Sequence, residues 1–315
     1  MTPIRTAAIG AGVQGQRHAE KLAALSASEL VAVVDIDSER ANTVAANLGT
    51  EAVEDYRDLI GNVDAVVLST PTSTHFDIAR PLLESGIHLL LEKPITTTLD
   101  EAGELVRLAE DRRAVLQVGH LERFNPAIMA LTEHIRQPQF IESNRIAPYK
   151  PRALDVSVVL DLMIHDIDLI HSFVHSQMAQ VDAVGRSVFS DSIDVANARI
   201  RFANGCVANV TSSRVSLKTE RSLRLFQGDS YASIDLQDRT FTRYSKRGPG
   251  PVSGPEDVAI DARSFDASDA MMDQTQAFLD SISGGPPPLV DGERAMQALE
   301  TAIAIGNAIG GQESS

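Results

Sequence analysis

Short apolar runs alternate with segments of helical period over the first 120 residues, and no other feature constrains the fold as strongly. Amphipathic segments such as HAEKLAAL and SERANTVAANL separate the runs. Continuous apolar strands joined by helices are typical of parallel βαβ units, whose sheet is covered on both faces. The pattern therefore predicts an α/β domain with a doubly wound parallel sheet over residues 1–120. The runs are TAAIG (6–10), LVAVVD (30–35), DAVVLST (64–70), HLLLE (88–92) and AVLQVG (114–119).

The remaining residues, 121–315, follow a different pattern. Two helix candidates, at 125–136 and 156–175, lead into runs in which apolar and polar residues roughly alternate, such as VANARIRF and CVANVTSS. Alternation of this kind is typical of an antiparallel sheet with one face in solvent. We therefore predict a C-terminal α/β domain with a large, open, mainly antiparallel sheet. Whether the last helix, from about Asp291, packs back on the first domain is left open.

The charge balance excludes two classes of partner. The chain has 28 Lys and Arg residues against 43 Asp and Glu residues, a formal net charge of −15, which repels nucleic acid and anionic lipid. No apolar run is long enough to cross a membrane. The single cysteine, Cys206, cannot form an internal disulfide, and the N-terminus lacks a secretory pattern. We therefore expect a cytoplasmic protein that acts on a small molecule and binds neither nucleic acid nor membranes.

The segment GAGVQG follows the first apolar run and opens the first helix candidate. In this position Gly10 permits a tight turn, Gly12 lets the backbone approach a pyrophosphate, and Gly15 lets helix and strand pack closely. The N-terminus of the helix then faces the phosphates. Because glycine-rich turns are common, the segment alone does not decide between a dinucleotide site and an ordinary turn.

Asp35 strengthens the dinucleotide interpretation. It ends the second run, 20 residues after Gly15, where a carboxylate can accept hydrogen bonds from the adenosine ribose hydroxyls and repel a 2′-phosphate. NAD is therefore favoured over NADP, although Arg40 leaves some use of NADP open. The alternative is that Asp35 only starts the turn DIDSER.

Two further segments are expected at the carboxyl edge of the sheet, where open α/β sheets bind ligands. STPTSTH (69–75) follows the third run, and helix capping by Ser73 or Thr74 is a compatible alternative. LEKPIT (91–96) places Lys93 where its ammonium could hydrogen-bond a substrate hydroxyl and stabilise alkoxide character as hydride leaves. The alternative is a strand end whose charges are merely solvated, and the isomer of the Lys93–Pro94 peptide bond is left open. The predicted cofactor-binding residues are Gly10, Gly12, Val13, Gln14, Gly15, Asp35, Ile36, Arg40, Ser69, Thr70, Pro71, His75, Glu92 and Lys93.

The segments GAGVQGQRH, VVDID, STPTSTH, LEKPIT and VGHLERFNP together resemble the Gfo/Idh/MocA family, the group of glucose-fructose oxidoreductase and inositol dehydrogenase, over nearly the whole chain. The resemblance implies a Rossmann domain followed by an α/β substrate domain, whose open sheet often builds homodimers or homotetramers. It also implies an NAD-dependent oxidoreductase with a catalytic lysine in EKP, here Lys93. A catalytic aspartate and histidine are implied on a helix of the second domain.

The segment VSVVLDLMIHDIDLIHSFV (156–174) is the candidate for that helix. A helix that is apolar around most of its circumference is buried, so its polar stripe needs partners or a wet cavity. The family pattern falls on Asp161 and His165, so His165 is expected to accept the proton of an alcohol while Asp161 orients it or contacts the substrate. The alternatives are a structural histidine and a metal site that uses Asp161, His165, Asp168 or His171, although no ligand spacing supports a metal. The stripe consists of Ser157, Asp161, His165, Asp168 and Ser172.

Two stretches narrow the range of possible substrates, LERFNP (121–126) and NRIAPYKPR (144–152). Their cationic residues, Arg152 included, would suit an anionic group such as a diphosphate, and ordinary surface charge is the alternative. Residues 144–170 are also similar to family members that oxidise the 3-hydroxyl of UDP-N-acetylglucosamine before a transaminase installs an amine, in the synthesis of lipid A-type saccharides. The predicted substrate-binding residues are Lys93, Arg123, Asn125, Arg145, Tyr149, Lys150, Asp161 and His165.

The expected activity is therefore NAD-dependent oxidation of a secondary sugar hydroxyl to a ketone. UDP-N-acetylglucosamine is the expected substrate, and an aminotransferase is a possible partner in the pathway. A dehydrogenase of a free sugar, inositol or another polyol is the first alternative. A regulator that binds dinucleotide without turnover is the second, and Lys93, Asp161 and His165 argue against it because binding alone would not require all three.

Overall fold

The computed structural model describes residues 2–150 and 156–313. The chain folds into two compact units. The first contains Met1–Leu121 and Asp269–Met296, and the second contains Glu122–Ser268 and Gln297–Ser315. Residues 269–296, which the sequence analysis assigned to the second domain, therefore belong to the first unit.

The described residues form eight α-helices and fourteen strands. The helices are α1 (Val13–Ala24), α2 (Ser38–Leu48), α3 (His75–Glu84), α4 (Leu99–Arg112), α5 (Pro126–Thr132), α6 (Ile164–Val174), α7 (Ala270–Ile282) and α8 (Gly292–Glu313). The strands are β1 (Ile4–Ile9), β2 (Ser28–Val34), β3 (Glu51–Val53), β4 (Ala65–Leu68), β5 (His88–Leu91), β6 (Leu116–Val118), β7 (Phe140–Ile146), β8 (Met178–Arg186), β9 (Val195–Phe202), β10 (Val207–Ser213), β11 (Glu220–Phe226), β12 (Ser230–Asp235), β13 (Thr240–Lys246) and β14 (Val258–Ser264). In this part of the chain, none of the helices is both long and apolar enough to cross a membrane.

The first unit contains the doubly wound sheet that the apolar runs predict. The strand order is β3-β2-β1-β4-β5-β6, and every pairing is parallel. The order reverses between β1 and β4, so the loops after these strands flank the switch point at which such sheets bind ligands. Local sequence fixes the ends of the connecting helices. The Thr98 side chain and the Glu101 carboxylate form a capping box at the start of α4, and α2 ends at Gly49, whose φ of 70° favours glycine.

Helix α7 completes the core of the first unit, although it follows the second unit's sheet in the sequence. Its Phe278 and Leu279 are buried in the same apolar cluster as Val33 of β2 and Val67 of β4. Burial of side chains of this size contributes about 2–3 kcal/mol each. This packing is the physical reason why residues 269–296 belong to the first unit.

The second unit contains the predicted open sheet, in the order β14-β13-β12-β11-β7-β10-β9-β8. The pairing of β7 with β10 is parallel and the other pairings are antiparallel. Buried and less buried residues alternate along β9, so the strand has one core face. On the opposite face, aromatic rings form a row across β7, β11, β12 and β13. The rings of Phe140, Phe226, Tyr231 and Tyr244 have successive centroid distances of 5.5, 4.9 and 6.0 Å.

The predicted helices of the second unit are shorter or less regular than expected. Helix α5 begins at Pro126, because Asn125 caps it by accepting the N–H of Ala127. The helix predicted at 156–175 begins with a π-helical turn, Val159–Met163, and continues as α6. π-helical turns of this kind are rare and occur frequently at functional sites.

Candidate active site

The glycine loop between β1 and α1 contains two positions at which its own packing requires glycine. Gly10 has a φ of 91°, and a β-carbon on it would lie 2.7 Å from the Ser69 carbonyl oxygen. A β-carbon on Gly15 would overlap the Gly10 carbonyl group. Both glycines therefore serve the close approach of strand, loop and helix.

The space beside Gly12 is open. A β-carbon on this residue would have no other heavy atom within 4 Å, and no side chain caps the N-terminus of α1 there. The next residue, Val13, is 73 % exposed. Because backbone N–H groups at an uncapped helix N-terminus bind phosphate groups, the loop fits a pyrophosphate. Contact of Gly12, Val13 and Gln14 with the cofactor stays a prediction.

Asp35 lies directly after β2 and holds the glycine loop. Its Oδ2 accepts the N–H of Ala11 at 2.7 Å, and its Oδ1 accepts the N–H of Asp37 at 2.9 Å. A carboxylate has further lone pairs with which it can accept hydrogen bonds from ribose hydroxyls. The neighbouring Ile36 is 97 % exposed, so the surface next to the carboxylate is open. The residues at this edge therefore fit a dinucleotide.

Arg40 is already compensated by carboxylates. Its Nη1 lies 3.5 Å from Asp35 Oδ2, and its Nη2 donates to Asp37 Oδ2 at 2.9 Å. Two neighbouring carboxylates leave little positive potential for a 2′-phosphate. The environment of Arg40 therefore favours NAD over NADP.

His75 is buried, and both of its ring nitrogens have internal partners. The residue is 1 % exposed, and its Nδ1 and Nε2 lie 2.9 Å and 3.0 Å from the carbonyl oxygens of Pro94 and Thr70. Burial lowers the pKa of His75, although its contacts with backbone carbonyl oxygens act in the opposite direction. His75 thus joins the Ser69–Thr70–Pro71 loop to the segment after Lys93, and it does not present a ring edge for a cofactor.

Glu92 follows β5 at the carboxyl edge, as predicted, and has internal partners there. Its carboxylate contacts His18 Nε2 at 2.9 Å and accepts the N–H of Lys93 at 3.2 Å. A β-carbon on Gly119 would lie within 3.0 Å of this carboxyl group. Burial alone would raise the pKa of Glu92, but the interactions with His18, together with the charge and the backbone N–H of Lys93, outweigh burial and lower the pKa. Glu92 therefore fixes the backbone at Lys93, and the Lys93–Pro94 peptide bond is cis.

The sequence analysis missed His18. The residue is 1 % exposed and lies in α1, one turn beyond the glycine loop. The available signal was a histidine among the apolar positions of an amphipathic helix, which indicates a buried polar partner elsewhere.

Asp161 and His165 are half-buried, although most of their neighbours in the helix are buried. Asp161 lies within the π-helical turn and its N–H donates to the Ser157 carbonyl oxygen at 3.0 Å. His165 follows one turn later, in the first turn of α6. Their side chains are therefore not closed off from a ligand, and a general base must come within hydrogen-bond reach of the proton that it accepts. Their catalytic roles stay predictions.

The other polar residues of this helix have structural contacts. Asp168 is 2 % exposed, with Oδ1 3.9 Å from Arg123 Nη1. His171 Nε2 lies 2.8 Å from the Thr301 hydroxyl. Within residues 2–150 and 156–313, no group of three or more His, Cys, Asp or Glu side chains is arranged to hold a metal ion.

Arg145 occupies a buried site that the sequence analysis did not foresee. The residue is 3 % exposed and donates to Asp166 from Nε at 3.0 Å and from Nη2 at 2.9 Å. Its Nη1 donates to Glu122 at 2.8 Å. Burial opposes the positive charge, but the attraction of the two carboxylates outweighs it and raises the pKa of Arg145. The guanidinium donates to internal carboxylates, so these contacts do not support the prediction that Arg145 binds substrate.

The other predicted substrate residues fall into two groups. Asn125 is also structural, because its side-chain amide donates to the Leu236 carbonyl oxygen at 2.9 Å while its side-chain oxygen caps α5. Lys150 is exposed, and the half-buried Tyr149 packs edge-on against the Phe189 ring at 5.3 Å. Arg152 lies outside the described residues.

Comparison with known proteins identifies the family. Residues 4–120 match the Gfo/Idh/MocA oxidoreductase family, NAD-binding Rossmann fold, and residues 130–228 match the Gfo/Idh/MocA C-terminal domain. The chain belongs to the Gfo/Idh/MocA family. This membership confirms the predicted family, the α/β fold class, an oxidoreductase and NAD as the cofactor.

Over nearly its whole length this Gfo/Idh/MocA protein is similar to UDP-N-acetylglucosamine 3-dehydrogenase of Acidithiobacillus ferrooxidans, with 39 % identity over 306 residues, or 97 % of each chain. A solved structure of that enzyme has a TM-score of 0.91 and covers 98 % of both chains at 39 % identity. Inositol 2-dehydrogenase of Rhizobium meliloti is 26 % identical over 279 residues, 77 % of this chain and 84 % of the relative. Levoglucosan dehydrogenase in complex with NADH and levoglucosan, 18 % identical with a TM-score of 0.87 over 98 % of both chains, shares the fold.

Proposed function

We propose that the protein oxidises the 3-hydroxyl of UDP-N-acetylglucosamine to a ketone with NAD. The observation that carries this proposal is the similarity to UDP-N-acetylglucosamine 3-dehydrogenase, which extends over both domains at a level well above that of the inositol relative. The open glycine loop, the carboxylate at Asp35 and the half-buried Asp161 and His165 support it.

The proposed chemistry divides between three side chains. His165 accepts the proton of the hydroxyl, and Asp161, one turn earlier, orients its ring or the sugar. The Lys93 ammonium donates a hydrogen bond to the same oxygen and stabilises its negative charge as the C–H bond breaks. NAD, when bound, takes up the hydride. The products are the 3-keto sugar nucleotide, NADH and one proton.

The anionic diphosphate needs cationic or hydrogen-bonding partners against a net charge of −15. With Arg145 engaged by Asp166 and Glu122, we assign this role to Lys150 and Tyr149. Arg123 is a weaker candidate, because its guanidinium lies within 3.9 Å of Asp168.

The wider setting follows from the same proposal. A 3-keto sugar nucleotide is a substrate for an aminotransferase, and we propose that the product feeds one in the synthesis of lipid A-type saccharides in the cytoplasm. We also propose a homodimer or homotetramer. The aromatic row of Phe140, Phe226, Tyr231 and Tyr244 supports a protein contact on the open sheet face, and light scattering coupled to gel filtration tests the oligomer.

The second candidate is a dehydrogenase of inositol or another free polyol, which the similarity to inositol 2-dehydrogenase favours. Such an enzyme has no use for a nucleotide site and would not bind UDP. A regulator without turnover is a third candidate. Isothermal titration with UDP alone separates the first candidate from the other two, and absence of binding at millimolar UDP contradicts the nucleotide-sugar proposal.

The deciding experiment measures NADH formation from NAD and UDP-N-acetylglucosamine, with an aminotransferase present to consume the ketone. Lys93→Ala and His165→Ala should abolish the signal. The exposed residues Lys246 and His175 provide matched controls, and Lys246→Ala and His175→Ala should retain it. Turnover of a polyol but not of the sugar nucleotide would leave only the second candidate, and NAD binding without any turnover would leave the regulator.

A further inference from the structure

A buried ion pair that the sequence analysis did not single out lies beside the start of the Asp161/His165 helix. Asp194 is fully buried and Arg214 is 5 % exposed, with Arg214 Nε donating to Asp194 Oδ1 at 2.8 Å. Asp194 precedes β9 and Arg214 follows β10, and the N–H of Arg214 also donates to the Asp194 carbonyl oxygen at 3.0 Å. The pair is therefore anchored to the sheet by backbone as well as side-chain bonds.

Asp194 organises the loop between β8 and β9. Its Oδ2 accepts three consecutive backbone N–H groups, those of Val188, Phe189 and Ser190, at 2.8, 2.7 and 3.0 Å. Its Oδ1 also accepts the Ser190 hydroxyl at 2.7 Å. Burial alone would raise the pKa of Asp194, but these bonds and Arg214 hold the pKa well below its ordinary value. The loop is thus built around the Asp194 carboxylate.

Arg214 extends the same network to the residues that precede the helix. Its Nη1 donates to the Val156 carbonyl oxygen at 2.7 Å, and the Ser192 hydroxyl donates to the same oxygen at 3.2 Å. The N–H of Val158 donates to the Ile193 carbonyl oxygen at 2.9 Å. The residues on both sides of Ser157 are therefore held by the β8–β9 loop and Arg214.

Ser157 connects this anchor to the proposed proton-transfer pair. Its carbonyl oxygen accepts the N–H groups of Leu160 and Asp161, each at 3.0 Å. Asp161 itself belongs to the π-helical turn Val159–Met163, a geometry that is uncommon outside sites where the surroundings impose it. Displacement of Val156 or Val158 would therefore move Asp161 directly.

We infer that Asp194 and Arg214 are positioning residues, which fix the π-helical turn and thereby the orientation of Asp161 and His165. The inference rests on the proposed function for its kinetic readout. The guanidinium of Arg214 is planar and rigid, so its N–H groups point in fixed directions, one toward Asp194 and another toward Val156. Lysine keeps the charge but cannot reproduce this geometry. A misplacement of about 1 Å in a reacting group can cost on the order of a hundredfold in rate.

The test compares Arg214→Lys and Ser192→Ala with Asn204→Ala. Asn204 is the matched control, because its side-chain amide donates to the Val174 carbonyl oxygen at 3.1 Å, at the last residue of α6. Ser192→Ala removes one hydroxyl and should fold even if Arg214→Lys does not. We expect kcat to fall about tenfold or more in Arg214→Lys and severalfold in Ser192→Ala, with the KM for NAD unchanged. The pH profile of kcat should shift in both variants and stay unchanged in Asn204→Ala.

Two results would overturn the inference. In the first, kcat in both variants stays within about twofold of wild type. In the second, kcat falls only in proportion to the melting temperature, and Asn204→Ala shows the same loss of melting temperature. Failure of the proposed function is seen separately, in the wild-type protein, and the same comparison then uses whichever alcohol the wild type oxidises. If the wild type oxidises no alcohol, amide hydrogen exchange decides whether the positioning role holds. Exchange at Leu160 and Asp161 should accelerate in Ser192→Ala, and unchanged exchange there rejects the positioning role.

Discussion

Arg145→Met distinguishes a buried structural arginine from a substrate-binding one. The substitution removes the guanidinium and leaves the Asp166 carboxylate, whose side chain is 1 % exposed, without its cationic partner. Glu122 is less affected, because Arg221 Nη1 lies 3.5 Å from its Oε1. Breaking one side of a buried ion pair costs about 3–5 kcal/mol. We therefore expect the second unit to lose roughly this much stability, chiefly through Asp166.

Urea denaturation followed by circular dichroism measures the loss. With a slope of about 2 kcal/mol per M, the midpoint of the second unit should fall by roughly 2 M. The double variant Arg145→Met/Asp166→Leu should recover most of the lost stability, because replacing both partners by apolar groups removes the unpaired charge. A different result would refute the reasoning. If Arg145→Met keeps the wild-type midpoint while the KM for UDP-N-acetylglucosamine rises tenfold or more, Arg145 reaches the substrate as the sequence suggested.

Three further predictions concern the first unit. Gly12→Ala should fold normally but bind NAD more weakly, by about tenfold or more in calorimetry, because its methyl group enters the open space beside the loop. Gly15→Ala should instead lose secondary structure. Equal NAD affinity of Gly12→Ala and wild type would contradict the assignment of the loop. Asp35→Ser should raise the ratio of kcat/KM for NADP over NAD about tenfold or more, because Arg40 loses a carboxylate; an unchanged ratio would mean that this edge does not face the ribose. Because the pKa of Glu92 is lowered from its ordinary value of 4.5, its carboxylate stabilises the fold above that pH, and the stability is lost as the pH falls through the lowered pKa. The difference in stability between wild type and Glu92→Gln should therefore shrink as the pH falls through the lowered pKa of Glu92, and a difference that does not change in acid would exclude this linkage.

The parallel sheet was predictable because its strands are buried on both faces and read as continuous apolar runs. The strands that the sequence analysis missed lack this signal. β3 has three residues, and β7, with the sequence FIESNRI, is buried only at alternate positions. β14, with the sequence VAIDARS, lies at the edge of the second sheet and is mostly exposed. The membership of helix α7 in the first unit depends on the burial of Phe278 in one apolar cluster with residues more than 200 positions earlier, such as Val67. No local pattern carries that information.

The charged residues were harder to interpret than the apolar ones. The position of Arg145 was in principle readable, since Ile141, Ser143 and Arg145 alternate on one face of β7 and all three are buried. An arginine in phase with a core isoleucine predicts an internal carboxylate partner. The sequence does not identify that partner, Asp166, because it lies on another element next to His165. Asp166 also does not belong to the polar stripe of that helix.

The split composition of the first unit bears on how the protein is made. A ribosome adds residues 269–296 only after the whole segment 122–268. Until then the emerging chain carries α1 and the parallel strands without α7, and the surface that Phe278 and Leu279 cover stays accessible to chaperones and to other nascent chains. Completion of the nucleotide-binding half thus waits for translation of nearly the entire polypeptide, and a product truncated before residue 269 lacks a part of that half which no later event can supply.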